Sequence, residues 1–171
     1  MTVTPYSYRP PPVLDVEASG SGRYAYPIEI GVALSAGRRY CTLITPVSSW
    51  THWDADVASL HGISRAQLYD HGRTPLDVAR LLNDLLAGIT VYSDDWVAHH
   101  RGLGVLYAAA ALSPSFALRS LTEILSDAQR AVWHTTRVQV FTALEPQRRC
   151  GPSDAQVVQE TWYRTRLATA A

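Results

Sequence analysis

Regular patterning begins after Pro10-Pro11-Pro12, which closes a short N-terminal lead. Residues 13–16 read as a first strand; residues 27–34 (PIEIGVAL) alternate as a second and residues 39–44 (RYCTLI) as a third. Gly20, Ser21 and Gly22 supply one turn, and Ser35, Ala36 and Gly37 the next, so the strands follow one another as hairpins. From Thr74 the spacing becomes helical. Leu76, Ala79, Leu82 and Leu86 fall on one face, Thr74 suits the N-cap, Pro75 the first helical position and Gly88 the stop. Residues 89–92 (ITVY) make a short buried strand, residues 99–112 a helix ending before Pro114, and residues 116–120 a last strand. Residues 121–144 are helical with an interruption, and residues 154–167 are helical after the Gly151-Pro152 break. Three strands followed by alternating helix and strand predict one α/β domain over residues 13–171 with a mixed sheet, residues 1–12 being a flexible lead.

Composition adds bounds. A chain of 171 residues, 47% hydrophobic, can bury a sizeable core and does not have the make-up of a disordered one. The 15 basic residues balance 15 acidic ones, and all the basic ones are arginine. Net neutrality removes the argument for a generally basic, nucleic-acid-binding surface, but a local arginine cluster can still hold phosphate. Cys41 and Cys150 have no metal-ligand spacing, so a reduced, cytoplasmic setting is expected. The lead lacks a basic segment followed by an apolar one and does not read as a signal peptide. The longest apolar run, residues 105–112, falls far short of the roughly 20 residues that span a bilayer, so no membrane partner is expected.

Candidate chemistry starts at Asp15-Val16-Glu17. Residues two apart on a strand point the same way, which brings both carboxylates into one space, where a cation or protons must offset their repulsion. Hard divalent ions such as Mg²⁺ or Mn²⁺ take such oxygens. In isolation the motif is more often a pair of solvated acids. Its surroundings sharpen it: LDVEASG followed by YPIEIGVAL resembles the first motif of the DnaQ-like, DEDD-type 3′–5′ exonucleases, in their small stand-alone form. Leu60-His61-Gly62-Ile63-Ser64 is similar to that family's LHGI[ST] segment, and Tyr92-Ser93-Asp94 falls at its second motif. Asp154, in Ser-Asp-Ala at a helix start, matches the last acidic position; the resemblance covers residues 13–159.

The resemblance implies a ribonuclease-H-like fold, a mixed five-stranded sheet of three antiparallel strands followed by parallel ones, flanked by helices. It implies two-metal hydrolysis at the 3′ end of single-stranded or short RNA or DNA, with Mg²⁺ or Mn²⁺ as the ions, and a homodimer. Asp15, Glu17 and Asp154 fill three of the four acidic positions. The other two diagnostic positions depart. The second-motif acid reads as His99, followed by His100, with Asp94 and Asp95 as earlier alternatives at the strand end. Histidine is a neutral ligand better suited to Mn²⁺ than to Mg²⁺. The family's water-positioning histidine reads as Arg149, with Arg148 beside it. Arginine cannot act as a base but can hold the scissile phosphate. His134 is a remote candidate base. Two readings stay open: an exonuclease with an altered site, or a catalytically inactive module of that fold which binds nucleic acid or a protein partner. His61 is expected to shape a turn or cap a helix, Trp50 and Trp53 to pack a loop over the sheet edge, and Arg38, Arg39, Arg164 and Arg166 to face solvent.

Overall fold

The computed structural model describes residues 9–144 and 153–170. Five strands, β1 (Val13–Ala18), β2 (Pro27–Ala33), β3 (Arg39–Leu43), β4 (Thr90–Ser93) and β5 (Ala117–Ser120), form one sheet in the order β3-β2-β1-β4-β5. β1 to β3 are antiparallel neighbours, as short Gly- and Ser-rich links require, while β4 runs parallel to β1 and β5 parallel to β4. The helices are α1 (Ala55–His61), α2 (Arg65–His71), α3 (Pro75–Leu86), α4 (Trp96–Ala110), α5 (Asp127–Leu144) and α6 (Ser153–Ala168).

Strand alternation divides the side chains between two layers. Leu14, Val16, Ile30, Val32 and Val91 pack with Val78, Leu82 and Leu86 of α3 and with Leu103 and Leu106 of α4. Val13 and Ala33 face the other way, against Ala155 and Val158 of α6 and Leu121. Asp15 and Glu17 continue the row begun by Val13, so the alternation that buries Leu14 and Val16 aims both acids toward α6. The apolar run within α4 serves the core: Leu106, Tyr107 and Ala110 are buried.

Capping residues set the helix starts. Thr74 accepts the Asp77 N–H and Pro75 opens α3, as the sequence predicts. Seven-residue α1 and α2 are too short to show an apolar stripe and escape the periodicity reading, but their caps mark them. Asp54 accepts from Asp56 and Val57, and Ser64 with Gln67 forms a reciprocal capping box. His61 ends α1 and its Nδ1 accepts the Ile63 N–H at 3.0 Å, shaping the turn. Trp50 stacks on Tyr26 with centroids 5.2 Å apart, a packing role. The predicted interruption after β5 is a 3₁₀ turn, Leu121–Ile124. β3 stops at Leu43, and Ile44 instead bridges to Arg73. α4 starts at Trp96 rather than at His99, because the Asp95 carboxylate accepts the Ala98 N–H and caps the helix earlier. His99 is thereby drawn into the helix and buried instead of lying at an exposed helix start. Among the described residues no helix is long and apolar enough to cross a membrane.

α4 lies close on β1 at Gly102, where a Cβ would come 2.9 Å from the Val16 Cγ1 methyl. Gly104, on the same helix, faces open space. The two glycines should therefore respond oppositely in urea unfolding. Gly104→Ala should stabilise by about 0.5–1 kcal/mol through helix propensity, whereas Gly102→Val should destabilise by about 1–3 kcal/mol through overpacking.

Candidate metal centre

Three elements converge on the acidic pair of β1. Across the β1–β2 ladder Gly31 lies opposite Asp15, leaving the carboxylate room, and Glu29 lies opposite Glu17. α6, docked through Ala155 and Val158 onto Val13 and Ala33, carries Asp154 in its first turn, where the helix dipole favours an anion. Ligand oxygens of Asp15, Glu17 and Asp154 all lie within 4.8 Å of one another. Asp15 belongs also to a second set of the same compactness, with Asp94, just beyond β4, and His99 of α4.

The electrostatics match this crowding. Burial holds the Asp15 carboxyl well above the usual carboxylate range, and the charges of Glu17, Asp154, Asp94 and Glu29 push it further up. Glu29, itself buried, is raised by burial, drawn down by the Cys41 thiol that donates to its Oε1 at 3.0 Å, and raised by Asp154. Carboxylates that resist ionising together are stabilised by a cation placed among them, so the residues fit a hard divalent ion.

His99 is only 8% exposed. Its Nδ1 lies 2.6 Å from the buried Ser93 Oγ and its Nε2 lies 3.4 Å from Asp15 Oδ1. Burial pushes the imidazole below its ordinary value, with Asp94 and Asp95 pulling the other way, so the ring is neutral at pH 7. The approach to Asp15 is then a polar contact rather than an ion pair. In the tautomer with its proton on Nδ1, donated to Ser93, Nε2 presents its lone pair toward Asp15, as a metal-ligating histidine does.

Of the residues singled out from the sequence, Asp15, Glu17, Asp154, His99 and Asp94 are brought together. Asp95 is not: its carboxylate is spent on the cap of α4, and it joins neither set. Arg149 and Arg148 lie outside the described residues. His134 is exposed on α5 and joins neither set, and the His100 ring lies tilted against Trp96 with centroids 4.9 Å apart. The sequence reading missed four neighbours. Glu29 was legible, since I-E-I-G alternation sets it across from Glu17. Cys41 could be reached only through the β2–β3 register, which puts it opposite Gly31. Ser93 depends on the turn that starts α4, and Arg137, bonded to Asp94 Oδ2 at 2.6 Å, on the packing of α5.

Two cavities are lined by residues of these elements, and Asp94 borders one of them. One of about 170 Å³ lies beside β1 and α4 and is lined by Val16, Ala18, Gly20, Tyr26, Ala98 and Arg101 among others. Another of about 210 Å³ is lined by Asp94, Leu121, Thr122, Leu125, Arg130 and Trp133.

No protein-family model matches this sequence, and no curated protein sequence matches it. Solved structures do. The product-bound structure of exonuclease I at 1.5 Å resolution superposes on 91% of the chain with a TM-score of 0.68 and 8% identity. Exonuclease I from the moderately thermophilic Methylocaldum szegediense covers 93% with a TM-score of 0.67 and 8% identity, and E. coli exonuclease I in complex with a 5cy-dT13 oligonucleotide covers 92% with 0.69 and 9%. This chain spans 43%, 40% and 40% of those three proteins, so it corresponds to under half of each. Identities this low speak to architecture: the chain has the exonuclease, ribonuclease-H-like fold, with the mixed five-stranded sheet expected from its sequence.

Proposed function

We propose that this chain is a divalent-metal-dependent 3′–5′ exonuclease acting on single-stranded or short RNA or DNA, with an altered second half to its metal centre. One observation carries the reading: acids from separate elements, Asp15 and Glu17 on β1 and Asp154 on α6, meet within 4.8 Å on an exonuclease fold. Such a half-buried cluster, in which burial and its neighbours push the Asp15 carboxyl up, gives the fold no benefit by itself. Bound there, Mg²⁺ or Mn²⁺ would supply an acidified water and offset charge on the scissile phosphate.

The chain's own residues supply the rest. Asp15 is common to both donor sets and fixes their spacing. Ser93 orients His99 so that a neutral nitrogen replaces a carboxylate, which favours Mn²⁺ over Mg²⁺. Arg101, at the cavity beside β1, offers a guanidinium to the phosphate backbone of a strand whose terminal nucleoside enters there. Arg149 in the water-positioning slot holds phosphate rather than taking a proton. The competing reading, a non-catalytic module of the same fold, rests on this same pair of departures at His99 and Arg149.

Metal binding and hydrolysis are separately measurable. Mn²⁺ at about 100 times its dissociation constant should stabilise the protein by about 2.7 kcal/mol, a rise of roughly 5–10 °C in Tm. Asp15→Asn should abolish that rise while making the metal-free protein more stable at neutral pH, since a buried repelled charge is gone. The sign follows from the raised pKa of Asp15: its ionised form costs stability above that pKa and the cost fades as pH falls toward the ordinary carboxylate range. The variant's advantage should therefore shrink on acidification, as read by thermal unfolding from pH 7.5 down to 4.5.

Incubation of 3′- and 5′-labelled oligonucleotides with Mn²⁺ tests the reaction. Mononucleotides released from the 3′ end, with a loss of about 100-fold or more in Asp15→Asn, are the expected outcome. His99→Asp should shift the metal preference toward Mg²⁺. Intact oligonucleotides of both kinds across neutral and alkaline pH, from protein that binds Mn²⁺, would instead establish the non-catalytic module.

A further inference from the structure

The turn between β1 and β2 carries side chains that the metal centre does not use. Tyr24 is 65% exposed there, with the Arg23 guanidinium 4.5 Å from its ring centroid. The segment leading into α1 packs against the same turn. The Asp54 N–H donates to the Ser19 carbonyl at 2.9 Å, and a Cβ on Gly20 would come 2.7 Å from His52 Nε2. This close approach braces a cavity of about 260 Å³ lined by Tyr24, Ser49, Trp50, Thr51 and His52, none of them acidic. Asp54, the next acid along, spends its carboxylate on the cap of α1.

A second arginine stands beside the cavity. Arg65, the first residue of α2, donates to the Thr51 carbonyl at 3.4 Å and holds its guanidinium 5.7 Å from the centroid of Trp53. Tyr69, one turn further along α2, is 55% exposed and lies within reach of the same guanidinium. Trp50 links the cavity to the one beside β1, because it stacks on Tyr26, which lines the latter. Cation–π contacts at exposed positions add little to a fold. Planar rings interleaved with guanidinium groups do suit a single-stranded nucleic acid, whose bases stack on the rings whatever their sequence while its phosphates meet the cations. An acidic peptide would answer the charge and leave the rings unused.

On the nucleic-acid reading above, we propose that this surface is a second contact for single-stranded nucleic acid, separate from the metal centre. An internal base of the strand enters the cavity against Tyr24 and Trp50, and Arg23 and Arg65 hold neighbouring phosphates. The surface touches no reacting atom; it adds affinity for strands long enough to reach both cavities.

Fluorescence anisotropy of the full chain in EDTA, with a labelled twelve-nucleotide oligothymidylate and the corresponding dinucleotide, reads this surface without the metal. The native protein should bind the longer strand more tightly by about 5-fold or more, one stacked base being enough for that. Tyr24→Ala should remove about 5-fold or more of the affinity for the longer strand, and Tyr24→Phe, which keeps the ring, should retain it. Arg65→Gln should reduce the slope of log affinity against log salt by about 0.7, the share of one phosphate contact on a single strand. Native affinity and slope in Tyr24→Ala and Arg65→Gln, with circular dichroism matching the native protein, would overturn the inference and leave the metal-dependent reading standing. So would binding that requires Mn²⁺, which puts all the affinity at the metal centre, or equal competition by oligoglutamate, which assigns the surface to an acidic peptide. Absence of oligonucleotide binding both in EDTA and with Mn²⁺ would overturn the nucleic-acid reading itself and this inference with it.

Discussion

The period of two along β1 is the constraint on which the rest depends. This strand is central, with β2 on one side and β4 on the other, and its alternate residues answer to different demands. Leu14 and Val16 fill the layer under α3 and α4, while Val13, Asp15 and Glu17 face α6. A slip of one residue against β2 would drive both acids into the apolar layer and turn Leu14 and Val16 out of it, so the core enforces the direction of the carboxylates. Hydrophobic packing on one face thereby holds mutually repelling charges in place on the other.

That repulsion is distributed rather than removed. Asp15 is the most strongly affected, and the groups that push on it come from β1, β2, α6 and the segment after β4. The structure softens the load with local partners: the Cys41 thiol donates to Glu29, Arg137 donates to Asp94, and the dipole of α6 favours Asp154. His99 adds a donor without adding charge. Compared with a centre built from four acids, this one asks for less positive charge, and the part that asks for less is the part around Asp94 and His99.

Much of this was legible in the sequence, and the reasons differ by element. The three hairpin strands and α3 follow from period, turns and caps, because their side chains answer to local rules. The acids of β1 and Asp154 stand out in short motifs, and the docking of α6 brings them together. Two helices, α1 and α2, were hidden by their length, although Asp54 and the Ser64–Gln67 pair signalled their starts. The start of α4 turned on whether Asp95 was a ligand or a cap, and the backbone N–H groups of the helix claim it. Nothing local could reveal that Asp94 joins His99, or that Arg137 from a helix more than forty residues later would bond it. Those contacts exist only once the sheet order and the docking of α5 are known.

Asp15 stands at the junction of the two donor sets, and this gives the centre an uneven tolerance of change. Substitutions at Asp94 or His99 alter one arm and leave Glu17 and Asp154 with their shared partner; a substitution at Asp15 dissolves both arms together. Mutational drift can therefore erode the Asp94–His99 arm stepwise, each step neutral or nearly so for the other arm, while Asp15 is lost all at once or not at all. In this chain the other arm carries His99 and an Asp94 bonded to Arg137, so changes there leave the contact of Asp15 with Glu17 and Asp154 in place.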